Sequence, residues 1–149
     1  MAIRKLNQLG LYSAITIPQM NGEAHTLLIT HVVKEQIGTA DILELAAIPA
    51  DMKVLDAVID TEGAGTTNLT VGIMSGKPND PDPARTSGSE LFNAVPAGTE
   101  AKAAIKTLAA IARDPGNRSI GLKTSAAIPV NAKIHLRLTY GAQPTHNAT

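Results

Sequence analysis

Apolar and polar positions alternate with period two along most of this 149-residue chain, which places successive side chains on opposite faces of an extended strand. The sharpest run is KIHLRLTY, residues 133–140. Ile134, Leu136, Leu138 and Tyr140 predict a buried face, and Lys133, His135, Arg137 and Thr139 a solvated one. In MKVLDAVID, residues 52–60, Asp56 and Asp60 share a face with Val54 and Val58, so the core face is expected on the Leu55 and Ile59 side. Further strands are predicted at 11–17, 26–34, 41–46, 68–74 and 119–124, punctuated by turn signals at Asn21-Gly22, Gly38, Gly63, Gly65, Asp114-Pro115-Gly116 and Gly141. Seven short strands at this spacing predict an antiparallel β-sandwich or jelly-roll barrel.

Two segments break the alternation. Residues 75–90, SGKPNDPDPARTSGSE, carry three Pro and two Gly and are expected to be a long surface loop. Residues 99–113 place Ala101, Ala104, Ile105, Leu108, Ile111 and Ala112 at helical spacing behind Thr99 and Glu100 and before Asp114-Pro115-Gly116. They predict a short helix lying on the sandwich, with a bulged strand as the alternative.

One phrase occurs twice. Ala46–Asp60 reads AAIPADMKVLDAVID and Ala126–Tyr140 reads AAIPVNAKIHLRLTY. Each copy runs from Ile-Pro through a short polar step into Lys and an alternating strand. Pro fixes φ and donates nothing to a ladder, so each copy predicts a strand end, a tight corner and a new strand. The two corners are expected to launch strands of opposing sheets. The competing reading is a chance match of common strand-entry residues.

Composition narrows the function. The chain has no Cys, so neither disulfides nor thiolate metal sites are available to it. Thirteen basic residues against thirteen acidic give no net charge, which argues against a phosphate-backbone partner. One Phe, two Tyr and no Trp leave an aliphatic core and little with which to build a stacking platform for sugars or bases. No segment reaches membrane-spanning length, and Gly10, Tyr12, Ser13 and Thr16 interrupt the apolar run near the N-terminus, so neither a span nor a secretion signal is expected.

The chemical motifs are weak. His25, His31, His135 and His146 have no metal-ligand spacing and are expected at solvated positions. Asn79, Asp80 and Asp82 cluster, yet no EF-hand glycine or distal Glu follows. Gly63 and Gly65 lack the rest of a phosphate loop and read as a hairpin turn. Ser and His residues form no G-x-S-x-G elbow, and Asp56 and Asp60 would stand about 13 Å apart on a strand, too far for a glycosidase pair. No enzymatic function, cofactor or metal is expected.

The succession AAIPADMKVLDAVID, TNLTVGIM, a Pro/Asp loop with SELFNAV, DPGNRSIGLKTSAAIP and KIHLRLTYGA, from about Thr39 to Ala142, resembles the small decoration, or cement, proteins on capsids of tailed bacteriophages. The resemblance implies a jelly-roll-like antiparallel β-sandwich on the outside of a major capsid protein shell, self-associated as a dimer or trimer, with assembly in the host cytoplasm. Residues 99–113 depart from it, since the family would have a strand there. On this reading residues 1–10 are an arm, 11–143 the sandwich and 144–149 a tail. The candidate contacts with the shell are Ile3, Arg4, Lys5, Leu6, Leu9 and Leu11 in the arm, and Asp80, Asp82 and Arg85 in the loop. A receptor- or glycan-binding module of a head fibre or tail is the alternative function.

Overall fold

The computed structural model describes residues 3–5 and 24–142. Nine strands and one short helix follow in order: β1 (Ile3–Lys5), β2 (Ala24–Val32), β3 (Ile42–Ile48), β4 (Lys53–Glu62), β5 (Asn68–Ile73), β6 (Phe92–Pro96), β7 (Ala101–Lys102), α1 (Ile105–Ala110), β8 (Arg118–Thr124) and β9 (Lys133–Gly141). One sheet has the order β1-β3-β8-β5-β6 and the other β2-β9-β4-β7. All pairings are antiparallel except β1 on β3, where Ile3, Arg4 and Lys5 stand opposite Ile42, Leu43 and Glu44. The expected jelly-roll-like sandwich is therefore the fold. The strand expected at 11–17 and the tail with His146 lie outside the described residues.

The core is aliphatic because little else was on offer. Leu43, Leu45, Ile48, Leu69, Val71, Ile120 and Leu122 from one sheet meet Ile29, Ala57, Ile59, Ile134, Leu136, Leu138 and Tyr140 from the other, all almost fully buried. Strand β9 is buried on alternate residues as its pattern predicts. Cross-strand partners point to the same face, so β9 also sets the phase of β2. Opposite Tyr140, Leu138, Leu136 and Ile134 stand His25, Leu27, Ile29 and His31. His31 is consequently buried, and His25 is half-buried with its ring 6.1 Å from that of Tyr140. The expectation of solvated positions fails for both. It holds for His135, whose Nδ1 meets Thr30 Oγ1 at 2.9 Å and whose Nε2 meets Glu62 Oε2 at 2.7 Å on the outer face.

In β4 the expected core face is wrong at its first residue. Val54 pairs with Tyr140 and Asp56 with Thr139, which leaves Leu55 as the extra residue of a bulge. The bulge shifts the phase by one, burying Val54 and turning Leu55 outward at 41% exposure, while Ala57 and Ile59 remain inside as expected. The Gly63–Gly65 turn is not a hairpin either. It carries the chain from β4 in one sheet to β5 in the other. The helix shrinks to six residues, with Ala101–Lys102 in a strand before it.

The repeated phrase is a structural repeat. Asp51 and Asn131 both adopt positive φ, 61° and 74°, and the following amides of Met52 and Ala132 donate to the carbonyls of Pro49 and Pro129. Each corner is thus a four-residue turn with its third residue in the left-handed region, the conformation that Asp and Asn tolerate best among non-glycine residues. Both corners carry the chain from the five-stranded sheet to the four-stranded one, but the strands they launch do not oppose each other. Strands β4 and β9 are antiparallel neighbours in one sheet, as β3 and β8 are in the other. The two arches are therefore related by an approximate two-fold axis. Pairing requires this, because two like strands entering one sheet side by side from opposite ends form an antiparallel ladder.

Asn131→Val should cost about 1–2 kcal/mol in urea unfolding, and Asn131→Gly should be close to neutral, because only the β-branched side chain resists the left-handed conformation. A second expectation concerns His31, whose pKa burial pushes below 6.5, with the nearby Lys34 charge acting in the same direction. Between that lowered value and 6.5 the unfolded chain binds more protons than the folded one, so stability rises with pH. The contribution is complete above pH 6.5 and lost as pH falls through the folded value. His31→Leu should flatten that slope in melts taken from pH 7 to 5, and an unchanged slope would assign it to other groups.

Candidate functional site: a clamped loop on the outer sheet face

Strand β3 is buried on both faces. One face lies on the core, and the other lies beneath the segment that leaves β5 at Met74 and returns at Leu91. The segment is zipped at its mouth, where Ser75 N donates to Thr86 O at 2.9 Å, Gly88 N to Ile73 O at 3.1 Å and Ser87 Oγ to Gly121 O at 3.1 Å. Two positions beneath it have to be glycine. A Cβ on Gly121 would stand 2.6 Å from Met74 Cγ and 2.7 Å from Ser87 Oγ, and one on Gly72 would collide with Gly88 and Glu90.

The clamp itself is an ion pair. Arg85 is 2% exposed and its Nη2 lies 2.8 Å from Oε2 of Glu44, which is fully buried. Three more guanidinium donors go to the loop and the sheet: Nε to Ser75 O at 2.8 Å, Nη1 to Asp80 O at 2.8 Å, and Nη2 again to Ser119 Oγ at 2.9 Å. Glu44 also accepts the Asn79 amide on both oxygens at 3.2 and 3.3 Å. A planar fork with several donors suits this task, whereas a lysine would reach only part of it. Asp80 and Asp82 shape the tip, since Oδ1 of Asp80 accepts the Asp82 amide at 3.0 Å and Oδ1 of Asp82 accepts the Ala84 amide at 2.9 Å. Such side-chain turns stiffen a loop already restricted by three prolines.

Of the predicted contact residues, Asp82 is exposed and Asp80 half-buried at the loop tip, so the structure leaves both at the surface. Arg85 is not a surface residue. Its place among candidate contacts is corrected to that of the residue holding the loop down, because its charge is fully used inside. Ile3, Arg4 and Lys5 form β1 at the edge of the same sheet, and Leu6, Leu9 and Leu11 lie outside the described residues. Glu44 was missed. It stands in ILELAAI, and the only signal was an acid within a strand otherwise wholly apolar. Among the described residues no group of three or more His, Asp or Glu side chains is placed to hold a metal, and no helix is long and apolar enough to cross a membrane.

No protein-family model and no curated protein matches the chain. Solved structures do. The fold superposes on a chain of the capsid of Ralstonia phage GP4 with a TM-score of 0.84 and 27% identity, over 97% of this chain and 100% of that one. A chain of the cyanophage Pam1 capsid asymmetric unit shares the fold at a TM-score of 0.56 and 16% identity, over 87% of this chain and 91% of that one.

Removing one member of a buried ion pair strands the other, at a cost of about 3–5 kcal/mol. Arg85→Ala should lose that much in urea unfolding and open residues 75–90 to limited proteolysis. Lys77→Ala, on the exposed outer side of the same loop, should change neither readout.

Proposed function

We propose that this chain is a structural virion protein that decorates the outside of a phage shell, binds its major capsid protein and stabilises it. The observation that carries this reading is the likeness, over 97% of this chain, to a chain of a solved phage capsid. The clamped loop supports it. A stiffened loop loses little conformational entropy on docking, which is what a contact repeated over many identical sites needs. A contact of about 1,600 Å² would make each site specific, and several copies, joined as a dimer or trimer, would supply avidity. Such a protein catalyses nothing, takes no cofactor, and acts at the virion surface after assembly in the host cytoplasm. The balance of charge and the scarcity of aromatic rings disfavour nucleic acid and glycans as partners.

The direct experiment mixes the purified protein with undecorated shells and measures cosedimentation and the temperature at which the shells open. Binding with a raised opening temperature is expected. Recognition of glycans on an array with no uptake onto shells would favour the receptor-binding alternative. Deleting residues 1–10 removes β1 from the edge of β3. It should leave the sandwich folded by circular dichroism while weakening shell binding, and undiminished binding would take the arm out of the interface.

A further inference from the structure

A sheet that ends in an unpaired strand offers a row of backbone N–H and C=O groups to any other strand, and proteins blunt such edges by shortness, charge or proline. Among the described residues, three of the four sheet edges are blunted in this way. Strand β1 is three residues long and carries Arg4 and Lys5, β6 has five residues and ends on Pro96, and β7 has two. Strand β2 is different. It closes the four-stranded sheet with nine residues and, among the described residues, pairs with β9 alone. No Asp, Glu, Lys, Arg or Pro occurs from Ala24 to Val33. Leu28, at the midpoint of the strand, stands opposite Arg137 on the outer face and is 75% exposed.

This strand also reads alike in both directions. AHTLLITHV places Leu27 and Ile29, Thr26 and Thr30, His25 and His31, and Ala24 and Val32 at equal distances on either side of Leu28. Pairing with β9 does not ask for that symmetry, since β9 sets Thr139 and Gly141 on one side of Arg137 against His135 and Lys133 on the other. A second copy of β2 does. Two antiparallel strands related by a two-fold axis through one residue set every other residue against its mirror position. With the axis at Leu28, the outer face would pair Leu28 with Leu28 of the second copy, Thr26 with Thr30 and Ala24 with Val32. The inner face would pair Leu27 with Ile29 and His25 with His31. Aliphatic groups then meet aliphatic groups, hydroxyls meet hydroxyls, and no carboxylate or ammonium is buried.

We infer that β2 is a self-association edge: two copies of this chain join β2 to β2 about a two-fold axis through Leu28, and their four-stranded sheets run on as one. The palindrome selects the occupant. A foreign strand gains nothing from an edge that reads the same both ways, whereas a two-fold mate gains a matched partner at each position. Such a contact uses the same patch on both copies and closes on itself, which makes a dimer and excludes a trimer through this edge. The inference rests on the part of the proposed function that joins copies of the chain, and gives it a surface and a stoichiometry.

Analytical ultracentrifugation of the full chain, with no shells present, should find a dimer. Leu28→Glu sets an acid opposite Arg137 within the sheet, which the single sandwich tolerates, but it sets two acids against each other across the axis. Its circular dichroism should stay that of the folded sandwich while the dimer dissociation constant rises about a hundredfold or more. Cysteines read the register, since the chain has none of its own. Leu28→Cys chains should join through a disulfide on mild oxidation, because residues directly opposite in an antiparallel pair stand about 4.5–5.5 Å apart at Cα. Thr26→Cys chains alone should not, their cysteines lying about 13 Å apart along the strands, whereas a mixture of Thr26→Cys and Thr30→Cys chains should. A monomeric full chain, a trimer, or a dimer that Leu28→Glu leaves intact would each overturn the inference. So would Thr26→Cys chains that cross-link alone as readily as Leu28→Cys chains, because the axis would then lie elsewhere. No shell enters these measurements, so loss of the dimer leaves the decoration role standing, and a dimer that binds no shell keeps this surface while removing that role.

Discussion

A core with almost no aromatic rings has to be made by interleaving short aliphatic side chains from two sheets, and that works only if the chain crosses between the sheets without losing its phase. Both copies of the repeated phrase perform that crossing. Their turns place Asp51 and Asn131 in the left-handed region and close on Met52 and Ala132, so that β4 and β9 enter the same sheet from opposite ends. The alternation of β9 then fixes which residues of its two neighbours point inward. His31 is buried, and Val54 rather than Leu55 packs in the core, because of constraints set by these partners.

The five-stranded sheet presents a different problem, since β3 and β8 bury a second face that carries the polar side chains of Glu44 and Ser119. The chain covers it with its Pro/Asp segment. Gly72 and Gly121 let the segment lie against the backbone, and the Arg85–Glu44 pair holds it there. A buried ion pair is a poor source of stability compared with packed apolar groups, but it is intolerant of rearrangement because every donor needs its own acceptor. That intolerance suits a part whose proposed task is to meet an external surface in one shape.

Much of the architecture was legible in the chain. Period-two alternation located β2 to β5, β8 and β9 to within a few residues, and the three prolines marked the loop. The losses have physical causes. Strands β6 and β7 are short and half-exposed, so alternation hardly registers in them, and residues 99–113 satisfy helical spacing over twice the length that the fold accommodates. Arg85 looked like a surface charge because nothing near it in sequence is acidic and buried. Its partner lies 41 positions away.

The amino-acid sequence by itself determined the class of fold, the aliphatic core and the two left-handed corners, because alternation, ring count and turn residues are local properties that the backbone obeys wherever it goes. Tertiary structure alone decided that the corners feed one sheet, that a bulge turns Leu55 outward, and that Arg85 faces inward onto Glu44. Each of those outcomes depends on pairing between residues far apart in the chain, where register and desolvation outweigh local preference.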